Sequence, residues 1–311
     1  MLPFEGMTSE ATSPQGRITD RRLRTVLDGV RKVAHVDVRD AQLLKFTNNA
    51  VFSLPHAGVV VRIAGSATMS ARVGKVIQVA RWLQRGGVPA VRLLDQEQPL
   101  IVDGLHVTLW DEVPETGVTP TGSDLAVILQ RWHQLDPPED NLPGWAPMAE
   151  IRSRLAEPDG VSDDDLAYLR DECDRIEDQL PGLPYELPHG PIHGDAFMGN
   201  VIGGEAGPVI CDFDSSCDGP REWDLVPLAV GKLRFNYPVD DYGALARQYG
   251  FDVLRWPGFP ILRRLRELKL VTSLVPVLGS RPVLRPQWQT RMDSYRGGDQ
   301  TTRWSTYVRA A

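Results

Sequence analysis

The sequence predicts an α+β chain in two parts: an N-terminal lobe built on a five-stranded antiparallel sheet with one helix, and a C-terminal lobe that is mostly helical. Three observations predict it. Five short runs rich in aliphatic and β-branched residues precede residue 110, with one helical run between the third and the fourth. Asp103-Gly104 joins two of these runs, and this dipeptide favours a two-residue hairpin because both positions tolerate positive φ. From Ser123 onward, apolar residues recur at helical spacing.

Residues 1–18 are rich in Ser, Thr, Pro and Gly and are expected to be disordered. The N-terminal lobe, 19–109, opens on a helix with Leu23, Val26, Leu27, Val30 and Val33 on one face. Strands are expected around Gln42–Phe46, Ala50–Leu54 and Val59–Ile63, with Pro55-His56-Ala57-Gly58 turning between the last two. Met69–Leu83 reads as a helix stopped by Gly86-Gly87 and Pro89, and Leu100–Val102 and Leu105–Leu109 complete the strands. Residues 110–122, with two prolines, two glycines and acidic residues, read as a hinge and linker, and 123–311 as the C-terminal lobe. There Ser123 is a candidate N-cap for a helix to Leu135, closed by Pro137-Pro138. Ser162 with Asp165 suggests a capping box ahead of Leu166, Leu169, Cys173, Ile176 and Leu180. Further helical stretches are expected near Glu222–Phe235, Asp240–Tyr249, Ile261–Val277 and Pro286–Tyr295.

A chain of 311 residues can bury two cores. The formal net charge of −7 disfavours a nucleic-acid partner. No apolar run approaches the roughly 18 residues of a membrane span, and Met1–Arg17 has no apolar segment of the secretory kind. Cys173, Cys211 and Cys217 form no metal-ligand spacing and cannot all pair, which fits a reducing cytoplasm. The expectation is a cytoplasmic monomer or homodimer with neither membrane nor nucleic acid as partner.

The segment Pro191–Leu225 carries the chemistry. Asp195 is followed five positions later by Asn200, and Asp212 ends the apolar run Pro208–Cys211. This order suits phosphoryl transfer from a nucleotide: one Asp orients the attacking hydroxyl, while an Asn and another Asp hold Mg²⁺ against the phosphates. Mg²⁺ takes oxygen donors, here an amide and a carboxylate, completed by phosphate and water. On a regular strand Asp214 would share the face of Asp212 and could reach a second ion.

Taken together, His193-Gly194-Asp195 with Asn200, Ile210-Cys211-Asp212-Phe213-Asp214, and Gly219-Pro220 with Asp224-Leu225 resemble the signature of the aminoglycoside phosphotransferase and choline kinase group of small-molecule kinases. The resemblance covers about residues 36–275 and implies a bilobal, protein-kinase-like fold. It implies Asp195 as catalytic base, Asn200, Asp212 and Asp214 as metal ligands, and His193 and Asp224 as supports of the catalytic loop. It also implies Mg²⁺, ATP or GTP as phosphoryl donor, and a small-molecule acceptor.

For the nucleotide, the resemblance points to Asn48, Asn49, Ala50 and Val51 in a phosphate-covering turn that lacks a glycine-rich sequence. It places Arg62 where kinases carry a strand lysine, and Trp110, Asp111 and Val113 at the hinge. The usual glutamate partner of that cation is missing, since Arg62–Arg85 contains no acidic residue. For the acceptor, Asp218, Glu222, Trp223 and Tyr237 are candidates, and their acidic members would suit a cationic molecule. The expected activity is O-phosphorylation of an antibiotic or other natural product such as an aminoglycoside, in the manner of antibiotic resistance. The alternatives are a kinase of a choline-, homoserine- or sugar-like metabolite, or a nucleotide-binding regulatory module.

Overall fold

The computed structural model describes residues 19–46, 49–114 and 116–306. Its contacts divide the chain into two compact units: one runs up to Arg81 and takes in Val91–Val113, and the other holds Trp82–Ala90 and the chain from Pro114 onward.

In the first unit α1 (Asp20–Ala34) begins at Thr19, whose hydroxyl accepts the backbone N–H of Arg22. The strands are β1 (Gln42–Phe46), β2 (Asn49–Leu54), β3 (Val59–Ala64), β4 (Leu100–Val102) and β5 (Leu105–Asp111), with α2 (Ala67–Arg85) following β3. They form one antiparallel sheet in the order β1-β2-β3-β5-β4. Leu23, Val26, Leu27 and Val30 of α1 share a core with Phe52, Leu54, Val61, Ile63, Val102, Val107 and Leu109. Gly29 lets α1 approach the sheet closely: a Cβ there would lie 2.2 Å from Val102 Cγ1. Val33 was expected on the buried face, but α1 leaves it 57% exposed.

In the second unit the helices are α3 (Gly122–Gln134), α4 (Pro147–Ala156), α5 (Asp163–Gln179), α6 (Glu222–Arg234), α7 (Asp241–Tyr249), α8 (Phe259–Thr272) and α9 (Arg285–Arg296). Between α5 and α6 lie β6 (His189–Ile192), β7 (Val201–Gly204), β8 (Gly207–Ile210) and β9 (Cys217–Pro220), paired as two ribbons, β6 with β9 and β7 with β8. The N-cap of α3 is Thr121 rather than Ser123, because the Asp124 carboxylate accepts both the Thr121 backbone N–H and its hydroxyl at 2.8 Å. At α5 the backbone N–H of Asp165 donates to the Ser162 hydroxyl. Helix α4 and the two ribbons are additions to the sequence reading. The helix expected over Ile261–Val277 ends at Thr272, with a separate 3-10 turn at Val275–Val277. The expected linker is shorter, since Trp110 and Asp111 belong to β5 and Gly122 to α3. The 1–18 tail lies outside the described residues.

Leu54 is fully buried in the core of the first unit. Leu54→Ala is expected to cost about 2–5 kcal/mol, the range for truncating a buried leucine, read as a lower urea midpoint for the transition of that unit.

Candidate active site

The ribbons dictate the site. Between β6 and β7 runs the loop 193–200, and between β8 and β9 the loop 211–216. Because β6 pairs with β9 (Ile192 opposite Cys217) and β7 with β8 (Val201 opposite Ile210), both loops are closed at both ends against each other. The antiparallel register thereby sets Asn200 beside Cys211, whose N–H donates to the Asn200 carbonyl at 2.9 Å. His193 bridges the same two loops: Nε2 donates to the Cys211 carbonyl at 3.0 Å, and Nδ1 accepts the Asp195 N–H at 3.3 Å. These two bonds fix the imidazole as its Nε2-protonated tautomer.

Asp195 is held from several sides. Its carbonyl accepts the Asn200 side-chain amide at 3.0 Å, which leaves the amide oxygen of Asn200 as a donor atom for a cation. Gly194, with φ +82°, bends the loop, and a Cβ there would come within 2.2 Å of the Ser215 carbonyl oxygen. Asp224, fully buried at the start of α6, accepts the His193 N–H at 2.8 Å and the Gly194 N–H at 2.7 Å. The Trp223 indole N–H donates to the Gly194 carbonyl at 2.9 Å. The peptide groups on both sides of Gly194 are therefore fixed by neighbouring residues of one helix.

Behind Asp224 stands His133 of α3, which sequence reasoning missed. Its Nε2 lies 3.1 Å from Asp224 Oδ2 and its Nδ1 2.8 Å from the Tyr249 hydroxyl. Burial, with the Asp224 charge, pushes the Tyr249 phenol well above its ordinary value, so it remains a neutral partner of His133. Trp132, next to it on α3, packs on the rings of His193 and Phe213 at 5.4 and 6.0 Å between centroids.

Asp212 adopts a left-handed backbone, φ 69° and ψ 69°, and Phe213–Ser215 form a 3-10 turn. This corrects the expectation that Asp212 and Asp214 share one face of a strand. The chain leaves the strand at Ile210, so an alternation of period two no longer applies. The amide oxygen of Asn200 and the carboxylates of Asp212 and Asp214 are hard oxygen atoms, the type that Mg²⁺ takes. Among the described residues no cluster of three or more His, Cys, Asp or Glu could hold an ion alone. Such a set fits a cation completed by phosphate and water.

The Asp195 carboxylate, with 29% of its side chain exposed, receives Nη1–H of Arg266 from α8 at 2.5 Å. Burial pushes this carboxyl up, but the charges of Arg266 and Lys269 and the direct Arg266 hydrogen bond outweigh it and hold the group at about 2. The depressed value means that this carboxyl adds stability above the ordinary carboxylate range and loses it as pH falls through about 2.

A model of the phosphotransferase enzyme family matches residues 44–268. The chain belongs to this family. Solved structures with the same fold include an amicoumacin kinase in complex with AMP-PNP and Ca²⁺, 14% identical, with a TM-score of 0.68 over 92% of this chain and 96% of that one. A choline/ethanolamine kinase family protein from Mesorhizobium loti is 18% identical, with a TM-score of 0.60 over 87% and 93%. A spectinomycin phosphotransferase in complex with ADP and spectinomycin is 15% identical, with a TM-score of 0.56 over 88% and 92%. No curated protein sequence matches the chain. The protein is thus a small-molecule phosphotransferase with a kinase-like fold.

The first unit of this phosphotransferase holds the residues read as nucleotide-binding. Asn48 lies outside the described residues. Asn49 opens β2 and its side-chain amide approaches Met69 Sδ at 3.8 Å, Ala50 is fully buried, and Val51 pairs with Arg62 across β2 and β3. Arg62 in turn pairs with Thr108 of β5. Trp110 is 6% exposed and its indole N–H donates to the Thr108 hydroxyl at 2.9 Å, which removes it as an open platform for a base. Asp111 is exposed and Val113 half-buried.

Of the acceptor candidates, two are internal to the phosphotransferase. The Glu222 carboxylate is fully buried and accepts the backbone N–H groups of Glu186 and Leu187 at 2.7 and 2.8 Å. Trp223 is 2% exposed and bound to Gly194. Both therefore serve the protein rather than a ligand, a correction to the sequence reading. Asp218, on β9, lies 3.3 Å from His189. Tyr237 is 50% exposed and stacks on Phe235 at 5.5 Å.

Gly194→Ala forces a left-handed backbone on alanine, which costs roughly 1–2 kcal/mol, and drives its Cβ into Ser215. A lower melting temperature is expected, together with loss of phosphotransferase turnover even at temperatures where the variant stays folded.

Proposed function

We propose that this phosphotransferase moves the γ-phosphoryl group of ATP or GTP to a hydroxyl of a small acceptor of natural-product size. The nested loop pair that brings Asp195, Asn200 and Asp212 onto facing segments carries this reading. The acceptor oxygen attacks the γ-phosphorus, the bond from that phosphorus to the bridging oxygen breaks, and the nucleoside diphosphate departs. The acceptor proton passes to Asp195 Oδ and then to solvent. A carboxylate held at about 2 is a weak base. That suits a loose transition state in which the hydroxyl keeps its proton until late, so that Asp195 acts mainly by orientation.

Asn200 and Asp212 are the residues that would hold Mg²⁺, with Asp214 beside them. When bound, the metal supplies charge that neutralises the phosphate oxygens. Arg62 on β3 is the proposed cation for the α- and β-phosphates, and a guanidinium can grip two oxygens at once. AMP-PNP in the amicoumacin kinase and ADP in the spectinomycin phosphotransferase support a nucleotide as donor. Antibiotic acceptors in the same neighbours favour a natural product over a primary metabolite, while the choline kinase-like neighbour keeps small amino-alcohols in the panel to be tested.

Asp195→Asn is expected to lower kcat by at least ~10²-fold, the scale of a positioned base, with calorimetric nucleotide affinity nearly unchanged. Unchanged turnover would remove Asp195 from the mechanism. Because the Asp195 carboxyl of the free protein protonates only as pH falls toward about 2, the wild-type kcat/KM should show no acid limb from this group between about pH 5 and 8. Asp212→Ala should instead abolish Mg²⁺-dependent nucleotide binding, and tight binding of Mg·ATP by that variant in a titration would count against the ligand assignment.

A further inference from the structure

The carboxylate at the centre of the site has cations for neighbours. Arg266 of α8 donates to Asp195, and Lys269, one turn on, contributes a second positive charge at the same carboxylate. Lys269 pairs at 3.3 Å with Glu150 of α4, which Arg154 also binds at 2.6 Å. Arg266 and Lys269 thus stand on one face of α8, the first paired with Asp195 and the second with Glu150.

Arg266 is 8% exposed, and its guanidinium carries five N–H donors. The bond to Asp195 is its one hydrogen bond among the described residues, and its enclosed Nε has no acceptor. Buried donors are satisfied as a rule, and an unmet one is costly. Nε is sealed within the protein, but Nη2 makes no hydrogen bond among the described residues and is not enclosed, so it can take a further oxygen acceptor. Half-exposed Tyr237 feels the charge of Arg266, which opposes the upward push of burial on its phenol.

We infer that the acceptor of this phosphotransferase carries an acidic group, a carboxylate or a phosphate, which Arg266 and Lys269 receive beside Asp195. The inference rests on the phosphoryl-transfer reading and names the acceptor class of that site. An amine placed there would meet two like charges. An incoming acid instead replaces Asp195 as the partner of Arg266 and frees the Asp195 carboxylate for the acceptor hydroxyl. Binding and orientation of the acceptor are then one event.

The test reads nucleoside diphosphate release by the full chain with Mg·ATP or Mg·GTP. The probes are glycerate, 3-hydroxybutyrate, glucuronate and glucose 6-phosphate, each beside its amide or unphosphorylated counterpart, with choline and kanamycin as cations. At least one acid should raise release tenfold or more above the acceptor-free rate, and its uncharged counterpart should not. The carboxylate and phosphate arms tell which acid is read. Arg266→Gln should raise KM for that acid at least tenfold with nucleotide KM unchanged, Arg266→Lys should recover part, and Lys269→Gln should raise the same KM. A residue that merely positioned Asp195 would lower kcat equally for acid and uncharged counterpart. Turnover of choline or kanamycin but of no acid, equal use of acid and counterpart, or no response to any acid overturns the inference. Failure of wild type to bind Mg·ATP or Mg·GTP by calorimetry marks failure of the phosphotransfer reading itself.

Discussion

The buried carboxylate of Asp224 is the point on which the site is built. It lies in the first turn of α6, where the helix dipole favours negative charge. Its two oxygens accept the N–H groups of His193 and Gly194 and face His133. A charged acceptor in a dry place makes strong hydrogen bonds, of order 1.5–3 kcal/mol each. Without it two buried backbone donors would have no partner, and the left-handed turn at Gly194 would lose the bonds that hold its strained neighbourhood in place. The order of the segment, with Asp224 following Trp223, lets one helix end fix the N–H and the carbonyl of Gly194 together.

From that anchor the chemistry follows by topology. The two ribbons close two loops on one another, so residues far apart in function are near in space without a long-range packing accident. Both ring nitrogens of His193 are engaged with backbone groups of the two loops. It ties the loop of Asp195 to the carbonyl that precedes Asp212. Arg266 then sets the electrostatics. With Lys269 it holds the Asp195 carboxyl low, at about 2, against the upward push of burial.

Much of the fold was legible in the sequence because its signals are local. The strands of the first unit alternate with turn residues, Asp103-Gly104 marks its hairpin, and the stripe of Leu23, Val26, Leu27 and Val30 is a helix face. The ends were less secure where a cap competes. Thr121 rather than Ser123 begins α3 because Asp124 reaches back to it, a choice between two plausible caps that only geometry resolves. The pairing of the four short strands around the site escaped notice because each has few residues, with Gly and Pro among them, and is stabilised by its partner rather than by its own propensity.

The sequence by itself determined the reaction class, because His193-Gly194-Asp195, Asn200, Asp212 and Asp224 stand in the order and at the intervals of the family signature they resemble. The tertiary structure alone decided what surrounds them. Glu222 and Trp223 looked available to a ligand and are instead consumed by backbone groups of neighbouring segments. His133 and Arg266 looked like ordinary helix residues, one in an apolar stretch and one in a run of arginines, yet they meet Asp224 and Asp195 across 91 and 71 positions of chain. No local pattern encodes such meetings, since they depend on which helix faces pack together. The charge that an acceptor encounters is therefore a property of the fold, while the catalytic segment is written in the sequence.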